Sequence, residues 1–245
     1  MNGNNVLPFA KRSLRVSGEG AIHALLQARE LEEQGLDIIH LEAGELDLDT
    51  PKHIVEAAIE SLHNGRTRYS STQGTVSLRE SISHYINTTR MTTTSPNNVV
   101  VTPGVKGAIF FAIMALIESG DEVIVPDPGF PSYAAITKFA DGIPVPWHQK
   151  MEQDFIYDID QLSSIISNRT KIIVLNNPNN PTGTVMSRKT LESIAEIALE
   201  HNLWIISDEI YSQLYFNESF PSSIFSIPGM SERTILMDGF SKAYA

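Results

Sequence analysis

The chain has 245 residues, 42% of them hydrophobic, with 18 Lys and Arg against 29 Asp and Glu, a formal net charge of −11. That size and apolar content suit one large domain, or one domain plus a fragment, with a sizeable core. The negative balance, with no basic cluster to offset it, argues against nucleic acid and anionic membrane surfaces as partners, and the absence of cysteine excludes disulfides and thiolate metal sites.

The opening stretch MNGNNVLPFAKRSLRVSG has no apolar core of the kind a secretory signal needs, and the longest apolar run, AIFFAIMALI, is too short to span a bilayer; a cytoplasmic protein is expected. The three Asn-x-Ser/Thr triplets at Asn87, Asn168 and Asn217 are then chance occurrences, and the seven histidines show no metal-like spacing. In chain order, Ser17 is expected to open a helix that runs through AIHALLQARELEEQ and stops at Gly35. DIIHLEAGE is strand-like. Thr50 and Pro51 suit the N-cap and first position of a helix KHIVEAAIESLH closed by Asn64 and Gly65, and Ser77 with Glu80 suits the capping box of the next. Six strand-like runs follow, NVVVT, EVIVP, IPVPW, KIIVLN, LWIISDE and TILMDGF, with helices expected to begin near Val105, Pro131, Asp160 and Ser187. Short Val- and Ile-rich runs that are apolar on both faces and alternate with helices predict an α/β fold: a mainly parallel sheet covered by helices on both faces, from about residue 50 onward. Residues 1–49 are expected to belong elsewhere.

Ligands of such sheets bind at the carboxyl ends of the strands, so the residues after each strand carry the functional information. NVVVT leads into PGVKGA, a glycine turn that opens a helix and presents free N–H groups to an anion. KIIVLN leads into NPNNPTG, LWII into SDEIY, and the last strand into SKAYA, where Lys242 is the first lysine after Lys189. A lysine amine attacks an aldehyde only when unprotonated, and burial among apolar or cationic groups favours that form. Pyridoxal 5'-phosphate combines an aldehyde for such a lysine, a phosphate to anchor and a ring nitrogen that a buried aspartate keeps protonated. Neither G-x-G-x-x-G nor G-x-x-x-x-G-K-[ST] occurs, which argues against nucleotide cofactors.

From about residue 41 to 245 the chain resembles the fold type I pyridoxal phosphate enzymes, specifically the class I/II aminotransferases related to aspartate aminotransferase. The resemblance rests on GELDLDTP, TRYSSTQG, VTPGVKGA, PDPGFPSY, NNPNNPTGTV, SDEIY and GFSKAYA, seven motifs in family order. It implies that Lys242 forms the Schiff base and later moves the substrate Cα proton, and that Asp208 pairs with the ring nitrogen. Tyr211 and Asn180 are similar to the groups that bond the ring's phenolic oxygen, and Phe130 to the aromatic stacked on its face. Val105 and Lys106 would offer backbone N–H groups to the phosphate. Tyr69 is similar to a tyrosine that reaches the phosphate of a neighbouring subunit, which implies a homodimer with shared active sites. Gly44, with Asn180, resembles the substrate carboxylate site.

Three departures stand out. Leu46 and Leu48 replace the proline and aromatic of the family's G-E-P-D-F pattern, and Gly239 stands where many relatives carry a phosphate-binding serine, leaving Ser241 as its candidate substitute. The arginines that grip the phosphate and the substrate carboxylate belong to the segment after the lysine in relatives and are expected outside these 245 residues. The resemblance implies amino transfer between an amino acid and a 2-oxo acid. A lyase, decarboxylase or synthase on the same fold, and a catalytically inactive truncated half, stay open as alternatives.

Overall fold

The computed structural model describes residues 7–16, 18, 20–42, 44, 46–216 and 220–245. Its centre is a five-stranded sheet of β1 (Glu122–Asp127), β2 (Ile143–His148), β3 (Thr170–Asn176), β4 (Trp204–Asp208) and β5 (Thr234–Met237). The order is β2-β1-β3-β4-β5 and every pairing is parallel. Side chains alternate between two cores, as the period of two in a strand requires. Val123, Val125, Ile172, Val174, Ile206 and Met237 face one side, where α4 (Gly104–Leu116) and α5 (Ser132–Phe139) cover them with Ile109, Ile113 and Tyr133. Ile124, Ile173, Leu175 and Ile205 face the other, against α6 (Ile159–Ile165) and α7 (Arg188–Glu200). Both faces are therefore dry, which is why these strands read as continuous apolar runs.

The chain order reverses between β1 and β3, so the crevice outside their carboxyl ends is the place where such a sheet receives a ligand. The helix starts follow local chemistry. Ser187 caps α7 by accepting from the Thr190 N–H at 3.0 Å, and Asp158 caps α6 by accepting from the Gln161 N–H at 3.1 Å.

Before the sheet come α1 (Gly20–Glu33), α2 (Lys52–His63) and α3 (Val76–Arg90). The Ser17 expected to open α1 lies outside the described residues, while Gly35 and Gly65 take positive φ after α1 and α2 as anticipated. Four expectations fail. NVVVT is not a strand: no strand pairs with it among the described residues, and the Val101 N–H goes instead to the Gln73 carbonyl at 2.9 Å, in a turn. DIIHLEAGE likewise forms no ladder among its described residues, and its Ile39 and Leu41 are exposed. Pro51 sits at the N-cap of α2, one residue from its expected place. The Ser77–Glu80 capping box does not form because α3 begins at Val76, which puts Ser77 inside the first turn.

Gly129, in the turn after β1, has no room for a side chain: a Cβ there would lie 2.3 Å from the Pro126 carbonyl oxygen. Gly129→Ala is expected to cost about 1–3 kcal/mol, through forced movement of a turn that also carries Phe130. Urea unfolding measures it, and a variant as stable as the native chain would show that the turn yields freely.

Candidate active site

The last residue of β4, Asp208, is almost wholly buried. Its Oδ2 accepts the Tyr133 hydroxyl at 2.7 Å and its Oδ1 accepts the Ile210 N–H at 3.2 Å. Burial pushes its pKa up from 3.8 to about 6, against the pull of those two hydrogen bonds, and the charge of Asp238 adds to the rise. No cationic side chain among the described residues contributes to its titration. The result is a buried carboxylate poised to hold either a proton or a cation.

Asparagines lace the neighbouring strand end to this one. Asn176, at the end of β3, donates from Nδ2 to the Asp208 carbonyl at 3.0 Å and accepts the Asn180 N–H on Oδ1 at 2.7 Å. Asn177 is pinned between the Ser222 carbonyl and the Met186 N–H, 3.0 and 2.9 Å away. The amide-rich loop is thus more than a turn: it fixes Asn180, whose Nδ2 donates to the Tyr211 hydroxyl at 3.3 Å. Burial raises the Tyr211 pKa, and the charge of Asp208 raises it further. Tyr211 is therefore a neutral phenol beside an amide, a pair suited to hydrogen-bonding an oxyanion.

Lys242 lies on the short helix α8 (Phe240–Ala243) after β5, half-buried, with Nζ 5.9 Å from the centre of the Tyr211 ring. The turn before it packs on the start of α4: a Cβ on Gly239 would meet Ile210 Cδ1 at 3.1 Å and Val105 Cγ2 at 3.6 Å. Gly104 opens α4 at φ +75° with no described residue within 4 Å of an added Cβ, at the place where the helix presents the N–H groups of its first turn. Phe130 stands edge-on to Tyr133, ring centres 5.6 Å apart, and Lys106 Nζ is 5.4 Å from the Phe130 ring centre.

The structure thus brings together Asp208, Tyr211, Asn180, Lys242, Val105, Lys106 and Phe130. It leaves Tyr69 fully exposed, Gly44 exposed with no described residue within 4 Å of an added Cβ, and Ser241 exposed; among the described residues none of the three joins the contacts above. Tyr133 was missed, although it stands three residues after Phe130 at the start of α5, where a helical turn returns it to the same neighbourhood. Burial lifts its hydroxyl well above the ordinary tyrosine range, so it serves Asp208 as a neutral donor. Tyr133→Phe is expected to raise the Asp208 pKa above about 6, since the lost bond favoured the ionised form. Titration of Asp208 by NMR checks this, and an unmoved midpoint would contradict it.

Among the described residues no group of His, Asp and Glu can hold a metal ion, and no helix is long and apolar enough to cross a membrane.

The profile of the aminotransferase class I and II family matches residues 36–245. The chain belongs to that family. Among similar family members, a Petunia hybrida bifunctional aspartate aminotransferase and glutamate/aspartate-prephenate aminotransferase is 40% identical over 220 residues, which cover 89% of this chain and 46% of that one. A probable aspartate aminotransferase of Methanocaldococcus jannaschii is 40% identical over 85% of this chain and 54% of its own. Among solved aminotransferases, the aspartate aminotransferase of Thermus thermophilus with maleate superposes with a TM-score of 0.93 at 35% identity, over 98% of this chain and 62% of that one. The chain spans about half the length of the curated relatives it matches.

Proposed function

We propose that the protein carrying this chain is a pyridoxal phosphate-dependent aminotransferase that moves an amino group between an amino acid and a 2-oxo acid. The observation that carries the reading is Asp208, a buried carboxylate with a raised pKa and no cationic partner among the described residues, with the Tyr211–Asn180 pair and Lys242 grouped around it. That donor set fits the cofactor: a carboxylate for the ring nitrogen, a phenol and an amide for the ring oxygen, an amine for the aldehyde and a helix start for the phosphate.

Pyridoxal phosphate supplies an electron sink for the pair left when the substrate Cα proton departs. The residues of the chain do the rest. Asp208 would pair as a carboxylate with the ring nitrogen and keep that nitrogen protonated. Tyr211 and Asn180 would hold the ring oxygen by hydrogen bonds, and Phe130 would pack against the ring. Val105 and Lys106 would receive the phosphate on backbone N–H groups. Lys242 would anchor the cofactor through its aldehyde with loss of water and, once displaced by the substrate's amine, would take up and return the Cα proton on Nζ.

The domain division belongs to the same proposal: residues 1–49 as an arm and part of a small domain, 50–245 as the large cofactor-binding domain. Gly44 is assigned to the substrate side and Ser241 to the phosphate. Tyr69 would reach a neighbour's phosphate in a cytoplasmic homodimer. Two observations support the association. Tyr69 is fully exposed, and α2 is amphipathic yet buries none of Val55, Ile59 and Leu62.

The test uses the full product of the reading frame that contains these residues, supplied with pyridoxal phosphate, a panel of amino donors and 2-oxoglutarate. Glutamate formation in step with donor loss is the expected result. Release of ammonia or carbon dioxide without glutamate would favour a lyase or decarboxylase, and cofactor binding without turnover an inactive half.

A further inference from the structure

Arg90 ends α3 with its side chain fully buried, far in sequence from the strand ends it touches. Its Nε donates to Glu209 Oε2 at 3.1 Å, and its Nη2 donates to Asp238 Oδ2 at 2.7 Å and to Ser212 Oγ at 3.2 Å. Each partner adjoins a residue of the candidate site. Glu209 follows Asp208, Ser212 follows Tyr211, and Asp238 begins the turn that carries Lys242. The other oxygen of Glu209 accepts the Ser207 and Ser223 hydroxyls at 2.9 and 2.5 Å, so its orientation is fixed from two sides. The rings of Tyr85 and Phe220 lie 5.3 and 5.1 Å from the guanidinium carbon.

Stability alone is a weak explanation for this cluster. Desolvating buried ions offsets most of their attraction, and apolar side chains of the same volume commonly serve stability as well or better. Here one buried and one partly buried carboxylate share one arginine, which makes the balance worse. What a guanidinium supplies that an apolar residue cannot is a planar fork with donors in fixed directions.

We propose that Arg90 is a positioning residue for the cofactor site: it clamps the backbone after β4 to the backbone after β5 and so sets Asp208 and Tyr211 against Lys242. This rests on the functional reading above, because the groups it positions are those assigned to pyridoxal phosphate. The parallel ladder between the two strands ends at the Asp208–Met237 pair, so the segments beyond need another tie to keep their spacing. The Glu209 N–H to Met237 carbonyl bond, 2.8 Å, supplies one such tie, and the Arg90 fork supplies the next.

The test compares the native protein with Arg90→Lys, which keeps the charge and loses the fork, and with the triple variant Arg90→Met, Glu209→Gln, Asp238→Asn, which removes all three charges of the cluster together. Far-ultraviolet circular dichroism and urea unfolding report the fold. Pyridoxal phosphate titration and the visible circular dichroism of the bound cofactor at saturation report its seating. Both variants are expected to fold, to bind cofactor roughly tenfold or more weakly, and to show a visible signal per bound cofactor reduced by about half or more. A lower urea midpoint with native cofactor affinity and native visible signal, in whichever variant folds, overturns the proposal and leaves Arg90 a structural residue. Failure of the native protein to bind the cofactor would overturn the functional reading and this inference with it. Native binding with unmoved variants overturns this inference alone.

Discussion

Asp208→Asn is expected to make the cofactor-free protein more stable above about pH 7, by up to roughly 3 kcal/mol, while lowering amino transfer by about a hundredfold or more. The two effects have one cause. Burial raises the Asp208 pKa from 3.8 to about 6, so the folded chain holds a proton that the unfolded chain releases. A group whose folded pKa is raised contributes stability that is fully present below the unfolded value and is lost as pH rises through the folded value. The native chain should therefore lose stability between about pH 4 and 6, and above that window it bears the whole cost of a buried anion. Asparagine keeps the shape and can still meet the Tyr133 hydroxyl, yet carries no charge to desolvate. It also offers no charge to a ring nitrogen, and amino transfer suffers for that reason. Urea unfolding of both proteins from about pH 4 to 9, without cofactor, checks the prediction. Parallel stability curves for the two would contradict it.

Lys242→Ala is expected to reduce amino transfer by about four orders of magnitude or more, because alanine provides neither the nucleophile nor the base. The fold should hardly notice. Lys242 is half-buried on a four-residue helix at the sheet edge and belongs to neither core cluster, so its removal should change unfolding free energy by no more than about 0.5 kcal/mol. Steady-state assays and urea unfolding of the same preparation separate the two quantities. A variant that retains turnover, or that loses activity only by unfolding, would remove Lys242 from the chemistry.

How much of this was legible in the sequence depends on how local the cause was. EVIVP and KIIVLN lie within β1 and β3 because a run that is apolar on both faces has few other ways to be buried. NVVVT has the same composition and fails, since a strand needs a neighbour and the Gln73 carbonyl claims the N–H of Val101. The grouping of Asp208, Asn180, Tyr211 and Lys242 was legible because each stands at or just beyond a strand end, where side chains converge whatever the loop does in detail. Tyr133 was within reach, one helical turn past Phe130. Arg90 was not: its partners Glu209 and Asp238 lie 119 and 148 positions away, and no local pattern marks one arginine at the end of a polar helix as buried. Tyr69, Gly44 and Ser241 depend on contacts that these residues do not make among themselves.

Borohydride fixation followed by peptide mapping asks whether Lys242 is the amine that holds pyridoxal phosphate. The cofactor is added to the full protein, the covalent bond is reduced, and the modified lysine is located by mass spectrometry. Lys106 is the natural competitor, since it lies over Phe130 at the start of α4. One modified peptide is expected, containing Lys242, and none in Lys242→Ala. Fixation on Lys106, or a Lys242→Ala protein modified as heavily as the native one, would contradict it.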